Sequence, residues 1–137
     1  MLFVALVLIA FTPGIFWLWF YTRLDKYRPE PRRLLAMAFF LGMLSTIPAG
    51  ILNTLFIDES VLDQTAALAS VAMAMLLVVG PVEETSKFLA VRFGPYRSRY
   101  FDEPIDALVY GAAASLGFAS LENLMYVLTF GPEVMIL

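Results

Sequence analysis

AMAMLLVVGPVEETSKFLAV, residues 72–91, is apolar enough to enter a lipid bilayer and yet carries Glu83, Glu84 and Lys87. A charge at mid-bilayer costs roughly 2.5–3.5 kcal/mol on insertion scales, so ionisable side chains inside such a run mark function by default. Working outward, Asp106 and Glu122 fall within the next apolar run and add two further acids that need a reason.

The composition agrees with a membrane setting. Of 137 residues, 61% are hydrophobic and 15% charged, and the mean hydropathy is +0.80, which is not the make-up of a soluble domain of this length. Cys and His are both absent, so disulfides, thiolate ligands and imidazole chemistry are excluded from this sequence. Any reaction it carries out rests on carboxylates, Lys and hydroxyls, and a zinc set built on His or Cys is ruled out. A divalent metal held by oxygen ligands stays open. Nothing in the charge pattern suggests nucleic acid; the expected partners are the lipid bilayer and a membrane-anchored protein.

Four apolar stretches, at about residues 2–21, 34–57, 66–91 and 104–130, each supply the ~20 residues needed to cross the hydrocarbon as a helix. The expected fold is therefore all-α, a polytopic transmembrane helix bundle forming one membrane-embedded domain over residues 1–137. The connector after the first stretch holds Arg23, Lys26, Arg28, Arg32 and Arg33, with Pro29 and Pro31 breaking any helix through it. The second connector holds Asp58, Glu59 and Asp63 without a basic residue, and the third holds Arg92, Arg97 and Arg99. Basic, acidic, basic is the alternation of the positive-inside rule, which places the N-terminus outside and the arginine-rich loops in the cytoplasm. The sequence closes on Val134, Met135, Ile136 and Leu137, which reads as the start of another apolar run and suggests a piece of a longer protein.

Helical geometry sharpens the central cluster. Successive residues sit ~100° apart, so Glu83 and Glu84 diverge while Lys87 falls between them one turn on and can neutralise either. Adjacent residues do not face each other, so a partner acid must come from another segment. Gly80 and Pro81 are expected to break or kink the helix, with Gly80 as cap of a helix that restarts at Pro81. In the last stretch, Phe118 and Glu122 are four apart on one face, and Asn123 can orient the Glu122 carboxylate. Asp102, Glu103 and Asp106 stand at the membrane boundary, where a solvated face and a site role are equally open. Glu83 lies about 14 Å of helix from Arg92, whereas Glu122 lies about 27 Å from Pro104. Straight antiparallel helices ending together would not bring the two level, so residues 102–110 are expected to lie in the interface or dip back, with the span starting near Gly111.

Glu83, Glu84, Thr85, Ser86, Lys87 resembles the EExxK motif of the PrsW family of intramembrane endopeptidases. Phe101 to Asp106 is similar to that family's second motif, and Gly117, Phe118, Ala119 with Glu122 and Asn123 to its third; the connector from Asp25 to Arg33 resembles its early loop. Order and spacing agree over nearly the whole chain. The family is distantly related to the prenyl-protein CAAX endopeptidases, and its name comes from a bacterial protease that starts regulated cleavage of a membrane-bound anti-sigma factor.

The resemblance implies a multi-pass protein of the bacterial cell membrane that hydrolyses peptide bonds with water. It makes Glu83, Glu84 and Glu103 the functional acids, with Glu122 in the site wall and Lys87, Asn123, Asp106 and Phe118 in support. The family also carries a later helix with a functional His, so the His-less sequence implies either a chain that ends before that helix or a degenerate homologue. A non-catalytic protein, whether a pseudoprotease or a bundle that handles cations or protons, is the alternative of another class.

Overall fold

The computed structural model describes residues 2–23, 28–57 and 67–131. Helix α1 spans Leu2–Thr22, α2 Arg32–Phe56, α3 Leu68–Ala74, α4 Gly80–Phe93 and α5 Pro104–Phe130. A π-helical segment, Met75–Val79, joins α3 to α4, and a 3-10 turn, Pro95–Arg97, follows α4. No strand occurs among the described residues. Helices α1, α2, α5 and the α3–π–α4 rod are each long and apolar enough to cross a membrane. The all-α bundle with four spans is thus what forms. The acidic connector at Asp58, Glu59 and Asp63, the residues Asp25, Lys26 and Ala66, and the closing run Val134 to Leu137 lie outside the described residues.

Two expectations are corrected. The helix does not break at Gly80–Pro81: Gly80 keeps right-handed helical angles (φ −55°, ψ −55°) and its N–H bonds to the Met75 carbonyl, five residues back. Pro81 cannot donate to the Leu77 carbonyl, and the wider π turn takes up that missing bond without ending the rod. Nor do residues 102–110 dip back as a separate segment, because α5 is one continuous helix from Pro104 to Phe130. Glu84 and Val91 of α4 share a groove with Ser115 and Ala107 of α5, the antiparallel arrangement of neighbouring spans.

Small residues let the helices approach. The backbone of α5 at Gly117 lies against the Phe39 carbonyl of α2, and Gly42 of α2 lies against Ala114 of α5, each so closely that a Cβ would collide with main chain. Gly14 of α1 faces α5 as well, where a Cβ would meet the Ser120 side-chain hydroxyl and press on the Leu116 carbonyl. Helix α5 is therefore the hub, packed on α1 and α2, while α4 packs chiefly on α2. In a bilayer, such close packing replaces the hydrophobic drive, since lipid tails are as apolar as the side chains they would release. At one end of the bundle Leu35, Ala38, Val109, Tyr110 and Ala113 form a buried cluster.

That end is locked by the connector before α2. The Tyr110 hydroxyl, fully buried, donates to Glu30, and Phe101 stacks on the Tyr110 ring. Arginines there lie over aromatic rings: Arg23 over Trp19 at 5.0 Å, Arg92 over Tyr96 at 4.7 Å and Arg99 over Tyr100 at 5.0 Å. Arg99 also donates to the Tyr100 hydroxyl at 3.1 Å, and that bond with its charge holds the phenol below its ordinary range.

Candidate functional site

Helix α4 presents Glu83 and Glu84 to different surroundings. The Glu83 side chain is 20% exposed and the Glu84 side chain 74% exposed. Lys87, one turn on, lies between them with Nζ 3.5 Å from Glu83 Oε2 and 2.9 Å from Glu84 Oε1. This is the divergence that 100° per residue demands. The same ammonium sits 4.5 Å from the centroid of the Phe118 ring on α5. A cation over an aromatic face is stabilised by the ring quadrupole, more so when desolvated, so Phe118 helps keep Lys87 inside.

Glu83, Phe118 and Glu122 line one cavity of about 690 Å³ between α2, α4 and α5. Tyr126, one turn further along α5, lines the same cavity. Carboxylates of two different helices, α4 and α5, thus line the same cavity. Glu84 faces the other way, into a smaller groove of about 300 Å³ with Lys87, Phe101 and Gly111.

The remaining acids are elsewhere. Glu103 caps α5 in a reciprocal capping box with Asp106 and lies 3.4 Å from Arg28. Asp106 is buried, and its Oδ2 accepts the N–H groups of Asp102 at 2.8 Å and Glu103 at 2.7 Å. Glu103 is nineteen residues from Glu122 along one helix, about 28 Å, so the two do not meet around one reacting group. Asn123 is half-buried but does not line the cavity that Glu83 and Glu122 share.

Sequence reasoning did not single out Thr46, Asn53 and Tyr126, which also line that cavity. The signal available for Asn53 was the one used for Asn123, a polar side chain inside an apolar run. The structure adds that Asn53 Oδ1 is buried without a hydrogen-bond partner among the described residues.

A family model described as PrsW family intramembrane metalloprotease matches residues 30–134. The chain is 34% identical over 132 residues to Protease PrsW of Geobacillus kaustophilus, covering 96% of this chain and 56% of that protein. It is 33% identical over 129 residues to Protease PrsW of Bacillus subtilis, covering 94% and 56%, and 30% identical over 125 residues to that of Clostridioides difficile, covering 89% and 50%. The chain spans about half the length of the curated relatives it matches. No solved structure matches it.

The family description names a metal, which the donors present can be tested against. Among the described residues no group of three or more His, Cys, Asp or Glu could hold an ion, and the Glu83–Glu122 side of the cavity already has the Lys87 ammonium as its cation. These side chains do not by themselves make a metal site. The chemistry open to them is that of carboxylates, an ammonium and hydroxyls.

Proposed function

The chain belongs to the PrsW family of intramembrane metalloproteases, and from that premise we propose that it is the part of an intramembrane endopeptidase that carries two acids of the site, Glu83 and Glu122. The observation that carries this reading is their convergence from α4 and α5 on one cavity beside a Lys87 ammonium. Ionisable side chains inside an apolar bundle are costly and mark function by default.

Peptide hydrolysis needs a base to take a proton from water and an acid to give one to the leaving nitrogen. In our reading Glu83 takes the proton as the water oxygen bonds to the carbonyl carbon. Glu122, from the facing helix, delivers a proton to the amide nitrogen as the C–N bond breaks, releasing an acid and an amine. Lys87 compensates the charge on the Glu83 side, and Glu84, largely exposed, serves the ion pair that positions Lys87. The substrate is a membrane-anchored protein entering between helices, and the family resemblance supplies an anti-sigma factor as the example. The arginine-rich end faces the cytoplasm of a bacterial cell, with the N-terminus outside.

Co-expression of the full-length gene with single-span membrane reporters tests the assignment. Wild type and Glu84→Gln are expected to release the reporter fragment, while Glu83→Gln and Glu122→Gln lose about a hundredfold or more of that rate. Cleavage that persists in Glu83→Gln would remove the base from this reading. Reporters left intact by wild type would favour a non-catalytic bundle.

A further inference from the structure

The cavity that Glu83 and Glu122 share is unequal in its hydrogen-bonding capacity. Its hydroxyl donors are largely committed: Thr54 donates to the Gly50 carbonyl at 2.8 Å, Thr129 to the Met125 carbonyl at 2.8 Å, and Thr46 points at the Phe118 carbonyl at 3.5 Å. Lys87 is taken by its two glutamates. Beyond the proton that Glu122 delivers and the amide N–H groups of Asn53, what the cavity offers is acceptors: the Glu83 carboxylate and Asn53, whose Oδ1 is buried and unpartnered among the described residues. A buried acceptor with no donor costs about 1–3 kcal/mol, and such a group in a folded protein calls for an explanation.

A ligand matched to this cavity therefore brings N–H groups. A transmembrane helix has its main-chain N–H groups bonded internally and cannot offer them until it unwinds. Peptide hydrolysis requires that unwinding, because the scissile carbonyl must leave the helical ladder to be attacked. The N–H groups freed at that moment would each cost several kcal/mol in an apolar setting unless an acceptor takes them.

Register says where Asn53 would act. Thr46 of α2 approaches the Phe118 carbonyl of α5, and Asn53, two turns further along α2, lines the cavity with Met125 and Tyr126, the turn of α5 that follows Glu122. An extended chain advances about 3.3 Å per residue. We propose that Asn53 is a substrate-positioning residue whose side-chain amide accepts a main-chain N–H of the unwound substrate, one or two residues from the scissile bond. This rests on the proteolytic reading of the cavity and adds to it a means by which the bundle stabilises an opened substrate helix.

The test uses the full-length protein in lipid nanodiscs with a reporter span whose cleavage Glu83→Gln abolishes, made by peptide synthesis as a set in which each main-chain N–H near the cut is methylated in turn. Asn53→Leu is expected to slow cleavage about tenfold, the worth of one such bond, while leaving thermal stability equal or higher because a buried orphan acceptor is gone. Wild type should lose a similar factor with methylation at one position one or two residues from the cut. Asn53→Leu should cleave that methylated peptide and its parent alike. Equal methylation profiles for the two proteins would overturn the inference and leave the proteolytic reading standing. Slow cleavage accompanied by lost stability and an unchanged profile would make Asn53 merely structural and overturn it too. If no reporter depends on Glu83, the reading beneath falls first and the inference with it.

Discussion

Two groups of acids in this chain carry motif-like spacing, and the fold spends them differently. Glu83 of α4 and Glu122 of α5 come from separate helices to one cavity, balanced by an ammonium that sits on an aromatic face. Asp102, Glu103 and Asp106 are consumed at the start of α5 by main-chain N–H groups and Arg28. A carboxylate whose lone pairs are filled by its own helix terminus has little left for a substrate. The difference is set less by residue type or burial than by which donors are within reach, for Asp106 is the more buried of all these acids and the most fully bonded.

Removing charge from each group in turn separates their roles most widely. Glu83→Gln is expected to lower reporter cleavage by about a hundredfold or more, the usual range for a lost general base, with little change in unfolding. Glu103→Gln should retain cleavage within about tenfold of wild type and alter the α5 terminus instead. If Glu103→Gln proved as damaging as Glu83→Gln at unchanged stability, the family's assignment of Glu103 as a functional acid would outrank the geometry.

The next effect concerns the α2–α5 contact from which both groups are hung. Gly117→Ala puts a methyl into the Phe39 main chain and should cost about 1–3 kcal/mol, read as a lower unfolding midpoint in detergent. Gly111→Ala, on the same helix with no atom within 4 Å of its Cβ position, should lose nothing and gain up to about 1 kcal/mol of helix propensity. Equal losses at both would mean that small residues serve flexibility rather than close approach.

These glycines show where sequence reading ran out. Gly111, Ser115, Ala113, Gly117 and Ala119 all belong to a small-residue helix, but only the neighbour decides which of them is a contact, and Gly111 is not. The four spans were legible because hydropathy and length are properties of each segment alone. The divergence of Glu83 from Glu84 and the placing of Lys87 between them were legible because one helix fixes them. The sharing of one cavity by Glu83 and Glu122 was not, since it depends on how α4 and α5 pack, which neither segment fixes alone. Pro81 was misjudged because a missing i−4 bond can be absorbed by a π turn as well as by a break. Asn53 escaped notice because an orphan acceptor is visible only once its surroundings are known.

A third effect isolates the capping group. Asp106→Ala strips the acceptor from the Asp102 and Glu103 N–H groups and should destabilise the bundle by about 1–2 kcal/mol. Asp106→Asn, which keeps one acceptor oxygen, should recover part of that. A loss of cleavage in Asp106→Asn without a stability change would turn this acid from a cap into a member of the site.

The smallest effect separates the cap from the ion pair beside it. Arg28 Nη1 lies 2.6 Å from Asp102 and Nε 3.4 Å from Glu103, but the Arg28 side chain is 66% exposed and water can replace either carboxylate. Exposed pairs contribute roughly 0–1 kcal/mol, so Arg28→Gln should shift the unfolding midpoint only slightly and less at higher salt. The same substitution in an Asp106→Ala background should be no more costly if cap and ion pair act independently. A larger, non-additive loss would show that Arg28 holds the connector before α2 against the α5 terminus, and that this acidic group works as one clamp in which charge contributes as much as the main-chain bonds.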